Sequence, residues 1–157
     1  MFKRTRTSAY IDNGDVPASW VEVIIDSAFG TSVHGIATSL DSGKAAVDNL
    51  IIATFQGISL FSGKYTTPEL SWKIYGFWQN LQQSSFNLIQ IVNEPITKKL
   101  YVVLPNRQLL IGDYANGMDW KNIRWCPWFF NTSPSDPGIS SVAVFNINDI
   151  IIGADLV

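Results

Sequence analysis

Apolar positions in this chain gather into short runs of four to eight residues, rich in Ile, Val, Leu, Tyr and Trp and separated by clusters of Gly, Asn, Asp and Pro. Runs of that length and composition, bounded by turn residues, are the signature of β-strands. No window sustains apolar residues at helical spacing over three turns. The best candidate, 77–88, carries the run Asn80-Leu81-Gln82-Gln83-Ser84-Ser85, which reads as a loop with at most one helical turn. The pattern predicts an all-β protein.

The runs also recur. Trp20, Trp72 and Trp125 stand 52 and 53 residues apart, each in a segment of extended character. A second apolar run follows each of them, at 36–40, 88–92 and 142–145, and a third at 50–53, 100–103 and 150–153. Three markers agree on one period of about 50 residues, the range in which bladed and solenoid architectures repeat. Short connections such as Phe55-Gln56-Gly57-Ile58 and Leu104-Pro105-Asn106-Arg107-Gln108 suit antiparallel neighbours. With the strands of a unit named a to d and the tryptophan placed in d, complete sets are expected at 36–78 and 88–128. Strands c and d are expected at 5–25, and a and b at 142–153.

A four-stranded antiparallel unit repeated in tandem is the arithmetic of β-propeller blades. The expectation is a single domain over 1–157 with about three blades' worth of strands, one blade being split between the termini. Inner strands should be nearly continuous apolar runs, as Leu50-Ile51-Ile52 and Ile150-Ile151-Ile152 are. Trp72, Tyr75 and Trp78, then Trp125 and Trp128, are expected on the outer strand d, where aromatic side chains would wedge neighbouring blades apart. Propellers typically have four to eight blades, so three should not close alone. Either the chain assembles with copies of itself, a dimer giving six blades, or it is a slice of a longer propeller.

Composition narrows the function. The chain is 46% apolar and 15% charged, which suits a folded protein, and its 11 basic and 13 acidic residues are scattered singly to a net charge of -2. That leaves no electrostatic footprint for nucleic acid or anionic lipid. No run approaches the ~18 apolar residues of a membrane span, and the opening Met1-Phe2-Lys3-Arg4-Thr5-Arg6 leads into polar residues rather than a signal-peptide core. A soluble protein without a signal peptide is expected. Cys126 and His34 are each the single residue of their type, which precludes an intrachain disulfide and a Cys/His zinc site within one chain. A Ser-His-Asp triad could run only through His34, and no nucleophile-elbow motif accompanies it. No catalytic residue, metal site or cofactor is therefore expected.

The remaining motifs favour turns over chemistry. Asn116-Gly117-Met118-Asp119-Trp120 is similar to the Asp-box turn of sialidase-type propellers, but the Ser/Thr start and the Asp position are not in place, and an ordinary Asn-Gly turn explains it. The carboxylates show no spacing that singles out a glycosidase pair. Asp12-Asn13-Gly14-Asp15 and Asn146-Ile147-Asn148-Asp149 have oxygen-rich compositions that would suit calcium, and equally suit plain turns. Surface aromatics are the remaining hint: Trp120, Trp125, Trp128, Phe129 and Phe130 precede the Pro- and Ser-rich segment 131–138. Exposed members of that cluster, with Asn116 and Asp119 beside Trp120, would bind another subunit or the face of a sugar.

The run Trp20 to Ile36, continued by Asn49 to Gly63, resembles the propeller segments of tailed-bacteriophage structural proteins such as tail hub and tail nozzle proteins. The resemblance covers roughly residues 17–75 directly and the rest through the internal repeat. It implies a non-enzymatic virion component of the tail or connector, present in the virion or soluble in the cytoplasm before assembly, with other virion subunits as partners. It carries over no catalytic residue. The alternative is a lectin-like, glycan-binding propeller assembled from several chains.

Overall fold

The computed structural model describes residues 2–3, 6–11, 14, 20–26, 31, 50–61, 69–81, 83–128, 138–146 and 149–154. In chain order these form β1 (Phe2–Lys3), β2 (Arg6–Ile11), β3 (Val21–Asp26), β4 (Leu50–Ala53), β5 (Ile58–Phe61), a 3-10 turn at Trp72–Ile74 that runs into helix α1 (Tyr75–Gln79), and a 3-10 segment at Gln83–Leu88. There follow β6 (Gln90–Glu94), β7 (Lys99–Val103), β8 (Leu109–Asp113), β9 (Arg124–Trp128), β10 (Ile139–Asn146) and β11 (Asp149–Ala154). The described residues are mostly β, with one short α-helix and the 3-10 segments beside it. Its sheets, β1-β2-β3, β4-β5, β6-β7-β8-β9 and β10-β11, are antiparallel, small and open. The strand expected at 36–40 lies outside the described residues.

The β6–β9 meander organises the fold because its inner strands are apolar on both faces. Successive strand residues point to opposite sides, and β7 sends Leu100 and Val102 into one cluster and Tyr101 and Val103 into another. The first cluster lies between this sheet, the β4–β5 hairpin (Ile51, Ala53, Ile58, Leu60) and the helical segment. The second lies between the sheet's other face and the β10–β11 hairpin, through Ile139, Val142 and Ile152. One sheet is therefore packed between two others, which is what a nearly continuous apolar strand requires.

One expected strand is corrected. Residues 72–78, assigned to d of the first set, form the 3-10 turn and α1. The physical reason lies in the spacing of Leu70, Ile74, Phe77, Trp78 and Leu81, all of which lie in or against the first cluster. Those intervals of four, three, one and three residues put them on one helical face. Trp72 and Tyr75 point the other way, at 49% and 47% exposure, with their rings tilted against each other at 5.8 Å. The stretch Gln83–Leu88 is 3-10 helix, so the helical turn expected within the loop 80–85 extends to Leu88, and the strand expected from Leu88 starts at Gln90. Phe86 stacks on Phe55 and meets Trp78 edge-on.

Hydrogen bonds from two tryptophans tie the elements together. Trp78 is fully buried, and its indole Nε1 donates to the Thr54 carbonyl in the β4–β5 turn at 3.1 Å. Trp125, on β9, lies across Gly112 on the neighbouring strand and donates from Nε1 to the Leu70 carbonyl at 3.0 Å. Lys73 adds a bond to the Lys121 carbonyl ahead of β9. The three spaced tryptophans thus occupy three settings: Trp20 immediately precedes β3, Trp72 opens the 3-10 turn and Trp125 sits within β9.

Candidate functional site

The long connection from β8 to β9, residues 114–123, carries most of the candidate binding residues. Asn116 is exposed, and Gly117 sits at φ +134, a left-handed value that a side chain rarely tolerates. Asp119 closes the turn. Its Oδ1 accepts the Lys121 and Asn122 backbone N–H groups at 2.8 and 3.1 Å, and its Oδ2 accepts Asn122 Nδ2 at 2.6 Å. The Asn122 amide foremost, and those backbone donors, hold the Asp119 carboxyl below its usual range. Three hydrogen bonds thus tie the carboxylate into the turn. Trp120 is half-buried, with the Lys121 ammonium 5.6 Å from its ring centroid.

Trp128 is separate from this group. It is the last residue of β9, paired with Leu109, whereas the 114–123 connection leads into the other end of that strand at Arg124. Four strand steps of ~3.3 Å put roughly 13 Å between the two ends. Trp128 is 46% exposed. The structure therefore brings Asn116, Asp119 and Trp120 into one turn and leaves Trp128 apart. Phe129 lies outside the described residues, as do Phe130, His34 and most of the 12–15 turn. The 146–149 turn is described only at Asn146 and Asp149.

Other carboxylates serve turns as well. Asp113 Oδ1 accepts the Ala115 N–H at 2.9 Å. Glu94, only 3% exposed, accepts the Ile96 and Thr97 N–H groups at 3.0 and 2.8 Å and also the Thr97 hydroxyl, closing the β6–β7 turn. Tyr114 donates from its hydroxyl to Asn93 Oδ1 at 2.7 Å, and burial pushes its pKa up to about 12. Tyr101 is raised too, chiefly by burial. Among the described residues no group of three or more His, Cys, Asp or Glu side chains could hold a metal, and no helix is long and apolar enough to cross a membrane.

A cleft of about 510 Å³ opens between β6, the β7–β8 turn and the start of β10, with Gln90, Leu104, Pro105, Arg107 and Ser140 among its walls. Its described lining includes no aromatic side chain, so those walls lack the flat ring on which a sugar stacks. The Ile139 N–H donates to the Arg107 carbonyl at 2.9 Å, which anchors β10 to the turn.

The feature that composition alone did not locate is the N-terminal hairpin. In β3, Val21 and Val23 lie on one face and Ile24 on the other, exposed by 56%, 42% and 53%. Ile25 is the extra residue of a bulge opposite Thr7 and Ser8. On β2, Tyr10 and Ile11 are exposed by 42% and 55%. The outward face of the C-terminal hairpin carries exposed Ala143 directly opposite Ile151, itself 53% exposed. Apolar residues on both faces of a strand are the mark of one covered on both sides. The signal was legible as the run Val21-Glu22-Val23-Ile24-Ile25, but its exposure is a property of the fold.

No protein-family model matches the chain, and no curated protein is similar to it.

Proposed function

We propose that this protein is a non-enzymatic structural component that works by presenting β-sheet surfaces to partner chains, built from blade-like antiparallel units and serving in a tailed-phage virion as part of the tail or connector. The observation that carries the reading is the exposure of β3 on both faces. Covering a Val or Ile side chain that is half exposed gains on the order of 1 kcal/mol. A strand with several such residues, together with Tyr10 and Ile11 on β2, favours association over isolation. Among the described carboxylates, Glu94, Asp113 and Asp119 each cap a turn, which supports a role without proton transfer. The phage assignment rests on the resemblance of Trp20–Ile36 and Asn49–Gly63 to virion propeller segments.

The test is quantitative mass spectrometry of gradient-purified particles from cells that make the protein. A fixed copy number per particle is expected. Recovery entirely in the soluble fraction, with intact particles free of it, would overturn the virion role. Micromolar binding on a glycan array, lost on replacing Trp120 or Trp128, would replace this reading with the glycan-binding one.

A further inference from the structure

We infer that the N-terminal hairpin β2–β3 of one protomer pairs edge to edge with the C-terminal hairpin β10–β11 of a second copy of this chain, and reciprocally, giving two sheets of order β10-β11-β2-β3 in which β11 runs along Ala9–Ile11 and β1 keeps its place on Arg6 and Thr7. The inference rests on the structural reading above and names the partner as another copy of the same chain.

The template is within the molecule. In β6-β7-β8-β9 the two middle strands pair antiparallel over five residues, from Lys99 opposite Asp113 to Val103 opposite Leu109. The hairpin β10–β11 has the form of the first half of that unit, its second strand starting at Asp149, where β7 starts at Lys99. The hairpin β2–β3 has the form of the second half, its outer strand preceded by Trp20, where β9 contains Trp125. Among the described residues the two halves are not paired with each other, and each has an edge with no strand paired along its whole length. Strand β1 pairs only with Arg6 and Thr7, so Ala9, Tyr10 and Ile11 have no strand beside them on that side among the described residues. The far edge of β11 has none there either.

Open strand edges offer rows of backbone donors and acceptors, and apolar ones are driven to pair. Here one edge would satisfy the other, and Tyr10 and Ile11 of β2 gain neighbours beside Ile151 of β11. The strands that meet at each of the two equivalent seams, β2 and β11, hold six residues each. Reciprocal exchange is twofold and closed, so it ends at two chains rather than growing.

The experiment is sedimentation equilibrium on the full chain, with disulfide trapping in a Cys126→Ser background. A concentration-dependent dimer is expected. Ile11→Lys and Ile151→Lys, both at exposed positions, should each weaken it by roughly tenfold or more. Leu88→Lys and Ile96→Lys, equally exposed but outside both hairpins, should leave it unchanged. Cysteine at Ile151 combined with cysteine at Ala9, Tyr10 or Ile11 in turn should give, for at least one pair, an oxidised dimer on a denaturing gel that neither single variant gives.

A monomer at all concentrations, an open-ended series of oligomers, a dimer sensitive to Leu88→Lys but not to Ile151→Lys, or a disulfide closing within one chain would each overturn the inference. Its failure is separable from that of the virion role. Particles that contain the protein while its dimer ignores both hairpins refute only the pairing. A dimer that behaves as expected with particles free of the protein refutes only the virion role.

Discussion

Replacing Trp78 tests whether residues 72–78 are held as a helix against the core. Trp78 is fully buried, meets Phe86 edge-on at 5.7 Å and donates to the Thr54 carbonyl. Trp78→Ala removes the ring and leaves a cavity, at about 3–5 kcal/mol. Trp78→Phe keeps most of the apolar contact but orphans the Thr54 acceptor, for which a cost of about 1–3 kcal/mol is ordinary. Trp72→Ala, on the exposed face, should stay within about 1 kcal/mol. In a strand, residues 72 and 78 would share a face, because they are an even number apart, and the two substitutions would cost alike. In a helix six residues correspond to about 240° of rotation, and they separate. Urea titrations followed by far-ultraviolet circular dichroism, which does not rely on the mutated fluorophore, should show the Trp78→Ala midpoint lower by about 1 M or more at unchanged slope. Equal costs for the two alanine variants, or a Trp78→Ala cost below about 1 kcal/mol, would refute the packing argument.

Gly76 lies within α1 with open space where a Cβ would be; Gly76→Ala should raise stability by about 0.5–1 kcal/mol, read from the same titrations, and a loss would contradict the helix. A Cβ at Gly112 would come within 2.7 Å of the Trp125 ring, so Gly112→Ala should cost about 1–3 kcal/mol, and Gly112→Ala with Trp125→Leu should cost less than the sum of the two. The Tyr114 pKa is raised from 10.0 to about 12. The unfolded chain therefore releases that proton first, and stability should be level below pH 10, fall as pH rises towards 12 and level off above. Urea midpoints at pH 9 and pH 11 should show the fall, and Tyr114→Phe should reduce it; an equal fall in the variant would place its origin elsewhere.

The strands and their pairings were largely legible in the sequence. The run 88–128 predicts the β6–β9 meander, 5–25 predicts the β2–β3 hairpin and 142–153 the β10–β11 hairpin, because short apolar runs between turn residues state both the period and the breaks. At 72–78 the pattern points to a strand and the structure is helical. The period-3.6 signal at Leu70, Ile74, Phe77, Trp78 and Leu81 spans only about three turns and was masked by the register of Trp72 with the other tryptophans. Of the candidate site, the turn around Asn116 and Asp119 was visible from its Asn-Gly step. The distance of Trp128 from it was not, because nearness along the chain says little once a strand leads one residue away.

The sequence by itself determined the all-β class, the antiparallel hairpins and the turn residues that bound them, since these follow from local periodicity and backbone preference. Only the tertiary structure decided which apolar strands are covered. β7 and β3 read alike as apolar runs. Packing buries β7 between two sheets and leaves β3 half exposed on both faces, because burial depends on which surfaces meet in space and no local pattern encodes that.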